Sequence, residues 1–271
     1  MGDMNYRPII EDMTWSYSRI GTFDECPYRF FLRYIKHYKD DDKFYASYGS
    51  FIHRLIECFY RGLMTKEEML DEFITGFSTQ VKGERPKGSI VESYIKSGVD
   101  YLKSFTPFEY NMIDVEKKVE FEIAPEDGED GIKMVGYIDF LGEKDGELYI
   151  VDNKSRNLKP RSNRKKPTKN DIEIDEMLRQ LYLYSAAIKN EYGKFPKALC
   201  LNCFRSGTFI VEPFNEEAYN EAIKWATEKV HRIADTDDFY PNWDFFYCSN
   251  LCGVSDHCCY HDINRTERRK Y

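Results

Sequence analysis

Asp145 and Gly146 separate two apolar segments, residues 134–141 and 148–155, and this dipeptide constrains the fold more than any other feature of the sequence. Asp-Gly between apolar runs predicts a β-hairpin whose two turn residues both adopt positive φ. A turn centred there also fixes the register, because opposed residues must then have numbers that add to 291. The sequence therefore predicts which side chains face each other across the hairpin.

Asp139 and Asp152 oppose each other in this register, with Cβ atoms ~5 Å apart, and Lys154 shares their face. Two carboxylates in an apolar hairpin repel each other, and burying them unpaired costs free energy. A divalent cation removes the conflict, and oxygen ligands suit Mg²⁺ or Mn²⁺. Lys154 would then help to lower the pKa of a bound water or stabilise charge on a phosphate. The plain alternative is a structural hairpin with an Asp–Lys ion pair.

The composition is typical of a globular protein without a membrane span. The chain has 271 residues, 42% of them hydrophobic and 32% charged, and no apolar run approaches ~20 residues. Residues 1–12 are polar and do not resemble a signal peptide, so we expect a cytoplasmic protein of prokaryotic or viral origin. The net charge of −8 excludes general binding to polyanions, so nucleic acid would need a local basic patch.

Periodicity, caps and turn residues predict an α/β fold with a mixed central β-sheet flanked by helices. We expect helices first, then three strands, a helix, a second hairpin, a helix and an irregular tail from residue 237. The predicted helices are a short one capped by Ser16 or Ser18, then 27–34, 50–61, one opened by a capping box at Thr65 and Glu68, 89–105, 171–192, and one from the Asn215 cap to about 234. The predicted strands are 115–123, 135–141, 148–152, 198–204 and 208–212.

The segment between Ser155 and Asn170 is strongly basic and contains no acidic residue. It begins directly after Lys154, so its charge lies next to the predicted metal site, and phosphate contacts are the expected use of such a loop. The alternative is a solvated, mobile loop. The basic residues are Arg156, Lys159, Arg161, Arg164, Lys165, Lys166 and Lys169, and we predict DNA contacts for the first six.

Taken together, these motifs resemble the PD-(D/E)XK nuclease superfamily, and in particular its RecB-like branch, which includes the AddB nuclease and the CRISPR adaptation nucleases. The core motif is 136–139 (Gly-Tyr-Ile-Asp) followed by 151–154 (Val-Asp-Asn-Lys). Residues 49–53 resemble the upstream histidine motif of the branch, and 180–184 its Gln-xxx-Tyr helix motif. Residues 16–18 through Cys26-Pro27, with the terminal cysteines, resemble its iron–sulfur members. The matches run in the family's order over residues 16–259.

The resemblance implies a role for each matching residue. His53, Asp139, Asp152 and the backbone carbonyl of Asn153 would bind the catalytic metal. Lys154 would position or activate the attacking water, and Gln180 and Tyr184 would orient the site or touch the DNA backbone. His53 could instead be a hydrogen-bonded core histidine, and Gln180 and Tyr184, which share one helix face, could simply pack.

The resemblance also implies a structural 4Fe–4S cluster held by Cys26, Cys248, Cys252 and Cys258. The spacing between Cys248 and Cys252 is three residues where the family usually has two, and Cys259 competes with Cys258. Zn²⁺ held by the cysteines, with or without His257 or His261, is the alternative. Of the remaining cysteines, Cys58 falls on a predicted helix. Cys200 and Cys203 should point to opposite faces of a strand and are interpreted as core thiols.

These observations predict a single nuclease domain over residues 1–271. Its core would be restriction-endonuclease-like, at about 44–236, with a discontinuous metal-cluster subdomain at about 14–43 and 237–271. We expect a metal-dependent DNA nuclease, an exonuclease in recombination or repair, acting on single strands or duplex ends, with a helicase or recombination protein as partner. A CRISPR adaptation nuclease, a non-catalytic DNA-binding or scaffold subunit, and an RNA substrate are the alternatives.

Overall fold

The computed structural model describes residues 6–123 and 131–261, and a five-stranded sheet in the order β1-β2-β3-β4-β5 organises them. The strands β3 and β4 are parallel, and every other neighbouring pair is antiparallel. The expected mixed sheet with flanking helices is therefore confirmed. The strands are β1 (Asn111–Ile123), β2 (Ile132–Lys144), β3 (Glu147–Lys154), β4 (Ala198–Cys203) and β5 (Thr208–Pro213).

The hairpin of β2 and β3 forms around the Asp-Gly turn, as predicted. Asp145 has φ 56° and Gly146 has φ 78°, the conformation that this turn requires. Lys144 pairs with Glu147 and Phe140 with Val151, so the predicted register is confirmed over the whole ladder.

Helices cover both faces of the sheet. They are α1 (Arg7–Glu11), α2 (Tyr17–Glu25), α3 (Pro27–Phe30), α4 (Phe44–Tyr60), α5 (Lys66–Gln80), α6 (Gly88–Ser104), α7 (Lys169–Tyr192), α8 (Glu216–Ala234) and α9 (Phe245–Asn250). The largest core cluster joins α7, α8 and the N-terminal helices to one face of the sheet. A second cluster joins α4, α5 and α6 to each other. No helix of the described residues is long and apolar enough to cross a membrane.

Most predicted helices are found within a few residues of their expected ends. Ser16 caps α2, Asn215 caps α8, and Thr65 with Glu68 forms the capping box of α5. The prediction was wrong for α4, which begins at Phe44 rather than near residue 50. Gly49 disfavours a helix locally, but the helix continues through it and buries Phe44 and Tyr48 ahead of it.

The helix expected over 27–34 is irregular. The short helix α3 is continued by a π-helical turn, Phe31–Ile35, in which Lys36 N donates to Phe31 O at 2.9 Å. Such a turn adds one residue relative to an α-helix, and nothing in hydrophobic spacing indicates it.

Strands β1 and β2 are both irregular at the same level of the sheet. Val115 packs with Phe140 on one face, whereas Val119 and Ile138 belong to the core on the other face. Between them Glu116 has φ 52°, a left-handed conformation that a glutamate rarely adopts. Because both strands change face here, Glu116 and Asp139 lie at the same irregular point.

Gly136 of β2 lies directly against the ring of Tyr184 on α7. A Cβ at this position would overlap the ring, so the glycine of the strand motif and the tyrosine of the helix motif are sterically linked. In contrast, Gly21 lies inside α2 with nothing within 4 Å of an added Cβ.

We therefore expect Gly136→Ala to lower the free energy of unfolding by about 1–3 kcal/mol, the usual cost of overpacking. Gly21→Ala should leave it unchanged or raise it slightly, because alanine favours a helix interior. Urea denaturation of both variants measures the difference. Equal stability of the two variants would contradict the packing of Tyr184 against β2.

Candidate active site

The strands of the central hairpin separate at Asp139 and Asp152. The β2–β3 ladder ends at Phe140 and Val151, and beyond it β3 pairs only with β4. The Asp139 carboxylate takes the place of a ladder partner, since its Oδ2 accepts a hydrogen bond of 2.6 Å from Asn153 N. The two carboxylates therefore lie at a strand split, where side chains from neighbouring elements can reach them.

His53 reaches this split from α4. Its Nδ1 lies 3.4 Å from Asp139 Oδ2, and its ring meets that of Phe204 edge-on. Burial lowers the pKa of His53, which favours the neutral imidazole that metals bind. The side chain is still 30% exposed and lines an open pocket with Asp139, so the alternative of an ordinary core histidine is not supported.

Glu116 is a candidate ligand that the sequence analysis missed. Ligand atoms of His53, Glu116 and Asp139 all lie within 4.8 Å of one another, and this is the single such group of three among the described residues. Glu116 lies in a run of alternating charged residues that reads as an ordinary strand. Its inward position depends on its positive φ, and no sequence signal predicts a left-handed glutamate.

Asp152 and Lys154 form a buried pair on the α7 side of β3. Asp152 is 3% exposed, and its Oδ2 lies 2.7 Å from Lys154 Nζ. Lys154 Nζ donates to Gln180 Oε1 at 2.8 Å, and Gln180 Nε2 donates to the Tyr184 hydroxyl at 3.1 Å. Gln180 and Tyr184 therefore do more than pack, because they fix the direction of the lysine.

The charges and pKa shifts of the site residues favour binding of a cation. Burial, and then the charge of Asp152, raises the pKa of Asp139 well above its usual range. Burial lowers the pKa of Lys154, but Asp152 outweighs it, so the pKa is raised and the ammonium keeps its proton. Asp152 Oδ2 is buried without a well-directed hydrogen bond, although it touches the ammonium group. A divalent cation would relieve both carboxylates, so these donors fit Mg²⁺ or Mn²⁺.

Asn153 contacts other residues of the candidate site through its backbone, and hydrogen bonding holds its side chain in place. His53 lies next to Asn153. A hydrogen bond to the Asn153 backbone raises the pKa of His53 and so offsets part of the decrease that burial causes. The side-chain Oδ1 of Asn153 accepts a hydrogen bond of 2.7 Å from Asn202 Nδ2. Asn202 Nδ2 also donates to the Tyr101 hydroxyl. This buried amide network holds the end of β3 in place.

The basic segment after β3 is tied down at several points. Leu158 is buried, and the Asp171 carboxylate accepts hydrogen bonds from Ser162 and Thr168, which hold the pKa of Asp171 well below its usual range. Arg161 pairs with Asp175 and Glu212.

The cations of this segment are not equivalent. Arg156 lies 3.7 Å from Glu173 and Arg161 is ion-paired, so acids partly neutralise both. Arg164, Lys165 and Lys166 are exposed, and no acid pairs with them among the described residues. The outer turn of the segment therefore carries the charge that remains available.

The four predicted cluster cysteines line one pocket between the N-terminal helices and the tail. Cys26 lies at the junction of α2 and α3, and Cys248 lies on α9. Cys252 and Cys258 complete the lining, whereas Cys259 is exposed and not part of it. Backbone contacts join the two segments, since Asp41 N donates to Gly253 O at 2.8 Å.

The spacing of these thiols bears on which metal they suit. Among the described residues no three cysteine sulfurs lie within 4.8 Å of one another, whereas sulfurs around one tetrahedral zinc are about 3.8 Å apart. His261 also lines the pocket, while His257 stacks on Tyr38. No metal cluster is evident from thiol contacts alone in the described part of the chain.

Cys200 and Cys203 are core thiols, as predicted, and Cys58 lies half-buried on α4. Cys200 and Cys203 are fully buried and belong to core clusters on opposite faces of β4. Burial raises the pKa of each thiol to about 12, so both stay protonated and are unsuited to bind a metal.

Comparison with known proteins places these features in a family context. A sequence model of the PD-(D/E)XK nuclease superfamily matches residues 14–259. A protein from Eubacterium rectale, named as a candidate exonuclease, is 12% identical with a TM-score of 0.50, over 95% of this chain and 92% of that one. The structure of SSO0001 is 14% identical with a TM-score of 0.35, over 89% of this chain and 85% of that one. No curated protein matches the chain.

If Glu116 is a ligand, Glu116→Gln should weaken Mn²⁺ binding by at least the roughly 10- to 100-fold seen when residues supporting a metal site are lost. Glu120→Gln is the matched control, because Glu120 lies on the same strand but is exposed and paired with Lys118. Isothermal titration with Mn²⁺ measures both variants. An unchanged affinity in Glu116→Gln would remove Glu116 from the ligand set.

Proposed function

The chain belongs to the PD-(D/E)XK nuclease superfamily, and we propose that it is a metal-dependent DNA exonuclease that acts in recombination or repair. The observation that carries this proposal is the convergence of His53, Glu116 and Asp139 beside the buried Asp152–Lys154 pair. A likeness in fold to a protein named as a candidate exonuclease is in keeping with it.

The proposed metal ligands are His53, Asp139, Asp152 and the Asn153 backbone carbonyl, with Glu116 added by its position. A divalent cation held there would supply Lewis acidity toward the scissile phosphate and the attacking water. The side chains around it perform complementary tasks. His53 remains neutral, Asp139 accepts the Asn153 N–H and so holds the two strands at a fixed separation, and Asp152 places a negative charge beside Lys154.

Of the two roles expected for Lys154, to position or to activate the attacking water, we propose the first, together with stabilisation of charge on the phosphate. Lys154 stays protonated, so it donates hydrogen bonds and does not act as a base. Gln180 holds the ammonium by one hydrogen bond and is itself held by the Tyr184 hydroxyl, whose pKa burial raises to about 12. These two residues are positioning residues in the proposal.

The DNA backbone is proposed to follow the basic segment after β3. Arg164, Lys165 and Lys166 would make phosphate contacts, as would Lys159, which is exposed and closer in sequence to Lys154. Arg156 and Arg161 would contribute less, because Glu173, Asp175 and Glu212 already compete for them. The acidic protein as a whole would then bind DNA through one local patch.

We further propose that Cys26, Cys248, Cys252 and Cys258 hold a structural 4Fe–4S cluster. The four thiols line one shared pocket, which supports binding of a common metal group, and zinc is the alternative. The subdomain would comprise residues 14–43 and 237–271, although 262–271 lie outside the described residues. A cluster there would link the N-terminal helices to the tail.

The central test is digestion of end-labelled single- and double-stranded DNA with Mg²⁺ or Mn²⁺. The wild type should degrade linear DNA, and Asp152→Asn should be at least about 10³-fold slower, a loss comparable to removal of a major electrostatic group. Asp100→Asn, an exposed aspartate paired with Lys96, should retain full activity.

Covalently closed circular single strands separate the two modes of cleavage. An exonuclease leaves circles intact, so cleavage of circles would favour an endonuclease. No cleavage of any DNA by folded, metal-loaded wild type would favour a non-catalytic DNA-binding subunit. Cleavage of RNA alone would reassign the substrate.

The cluster has its own test in two adjacent cysteines. Protein purified without oxygen should be brown and contain about four irons per chain. Cys258→Ser should lose most of the iron, whereas Cys259→Ser should keep it, because Cys259 lies outside the pocket. Colourless, zinc-loaded wild type that retains activity would contradict the iron–sulfur assignment.

A further inference from the structure

Four side chains from distant parts of the sequence form a continuous row beyond the end of β3. The rings of Tyr45 and Phe246 are 6.0 Å apart, and those of Tyr45 and Tyr94 are 5.5 Å apart. The guanidinium carbon of Arg205 lies 4.0 Å from the centre of the Tyr94 ring, and its Nη1 donates to the Tyr94 hydroxyl at 2.9 Å. We call Tyr45, Tyr94, Arg205 and Phe246 the stacking surface.

Part of the stacking surface is open to solvent. Tyr94 is buried beneath Arg205, but Phe246 is 53% exposed, and Tyr45 and Arg205 are half-buried. No carboxylate pairs with Arg205 among the described residues, and its buried Nε has no hydrogen-bond partner there. The surface therefore combines an accessible ring, a guanidinium plane and an uncompensated positive charge.

The position of this surface relates it to the candidate active site. Tyr45 and His53 lie on the same helix, eight residues apart, which corresponds to roughly 12 Å along its axis. Arg205 follows β4 closely, and Phe204 N donates to Lys154 O at 3.2 Å. The surface thus lies at the carboxyl ends of the parallel strands β3 and β4, where ligands of α/β sheets commonly bind.

We infer that the stacking surface binds unpaired bases at a single-stranded end of the nucleic acid whose backbone enters the candidate active site. Aromatic rings and arginine planes stack on any base, but the bases of a duplex are already stacked on each other. The positive charge of Arg205 complements the adjacent phosphates. The inference rests on the proposed nuclease function and adds to it the preference for an unpaired strand.

Phe246 also connects this surface to the cysteine pocket. It lies on α9 two residues before Cys248, which lines that pocket. Loss of the cysteine-bound group would therefore be expected to displace Phe246 from Tyr45 and weaken binding of single strands.

Binding, and not cleavage, is the appropriate test, because it remains informative if the protein proves inactive. The full chain carrying Asp152→Asn is titrated into labelled oligo(dT) and into an abasic strand of the same length, with fluorescence anisotropy as the readout. We expect oligo(dT) to bind more tightly, and Phe246→Leu to weaken oligo(dT) binding by roughly 5- to 150-fold, the range for one lost base-stacking contact. Binding of the abasic strand should not change.

Leucine keeps apolar bulk at position 246, so Phe246→Leu separates the loss of stacking from the loss of packing. Phe246→Trp keeps an aromatic ring and should therefore retain binding. Tyr240→Ala is the control, since Tyr240 is a 64% exposed aromatic without a ring contact to the stacking surface. Equal affinity of the Asp152→Asn protein for the two strands, no loss on adding Phe246→Leu, or an equal loss on adding Tyr240→Ala would each overturn the inference. Cleavage of DNA by the wild type alongside any of these results would leave the proposed nuclease function intact.

Discussion

Antiparallel pairing around the Asp145-Gly146 turn is the constraint on which the candidate site depends. It brings Asp139 and Asp152 to the same level of the sheet and ends there, because β3 continues only beside β4. A ladder that continued further would occupy the Asn153 N–H with backbone, whereas here the Asp139 carboxylate accepts it. The hairpin therefore brings the two carboxylates close together, and its backbone pairing ends at the level of the proposed metal ligands.

Burial of charge explains how the surrounding elements are arranged. Burial, and then the charge of Asp152, raises the pKa of Asp139. Asp152 is paired with Lys154, whereas Asp139 lies beside His53 and Glu116. Lys154 in turn needs a neutral acceptor, which Gln180 supplies. A site of this kind is only partly neutralised by protein groups, which is the condition that favours binding of a divalent cation.

Residues near the two ends of the described chain pack against each other and contact the helix that carries His53. The tail packs on the N-terminal helices around Leu32, Cys252 and Val254, and α9 places Phe246 against Tyr45 of α4. Tyr45 lies on the helix that also carries His53, so one element connects the cysteine pocket with the candidate metal ligands. A structural role for the cysteines and a role for the tail in substrate binding are then compatible.

Turn chemistry and periodicity act over short distances, so the hairpin register, the capping box of α5, the mixed sheet and the residues of the core motif were predictable from the sequence. The meeting of Glu116 with His53 and Asp139 was not predictable in this way, since the positive φ of Glu116 depends on the paired irregularity of β1 and β2. Nor do local patterns predict that α4 starts at Phe44, that the Tyr184 ring leaves space only for glycine at position 136, or that the stacking surface forms. Each of these depends on packing between segments far apart in the chain, which local sequence patterns do not encode.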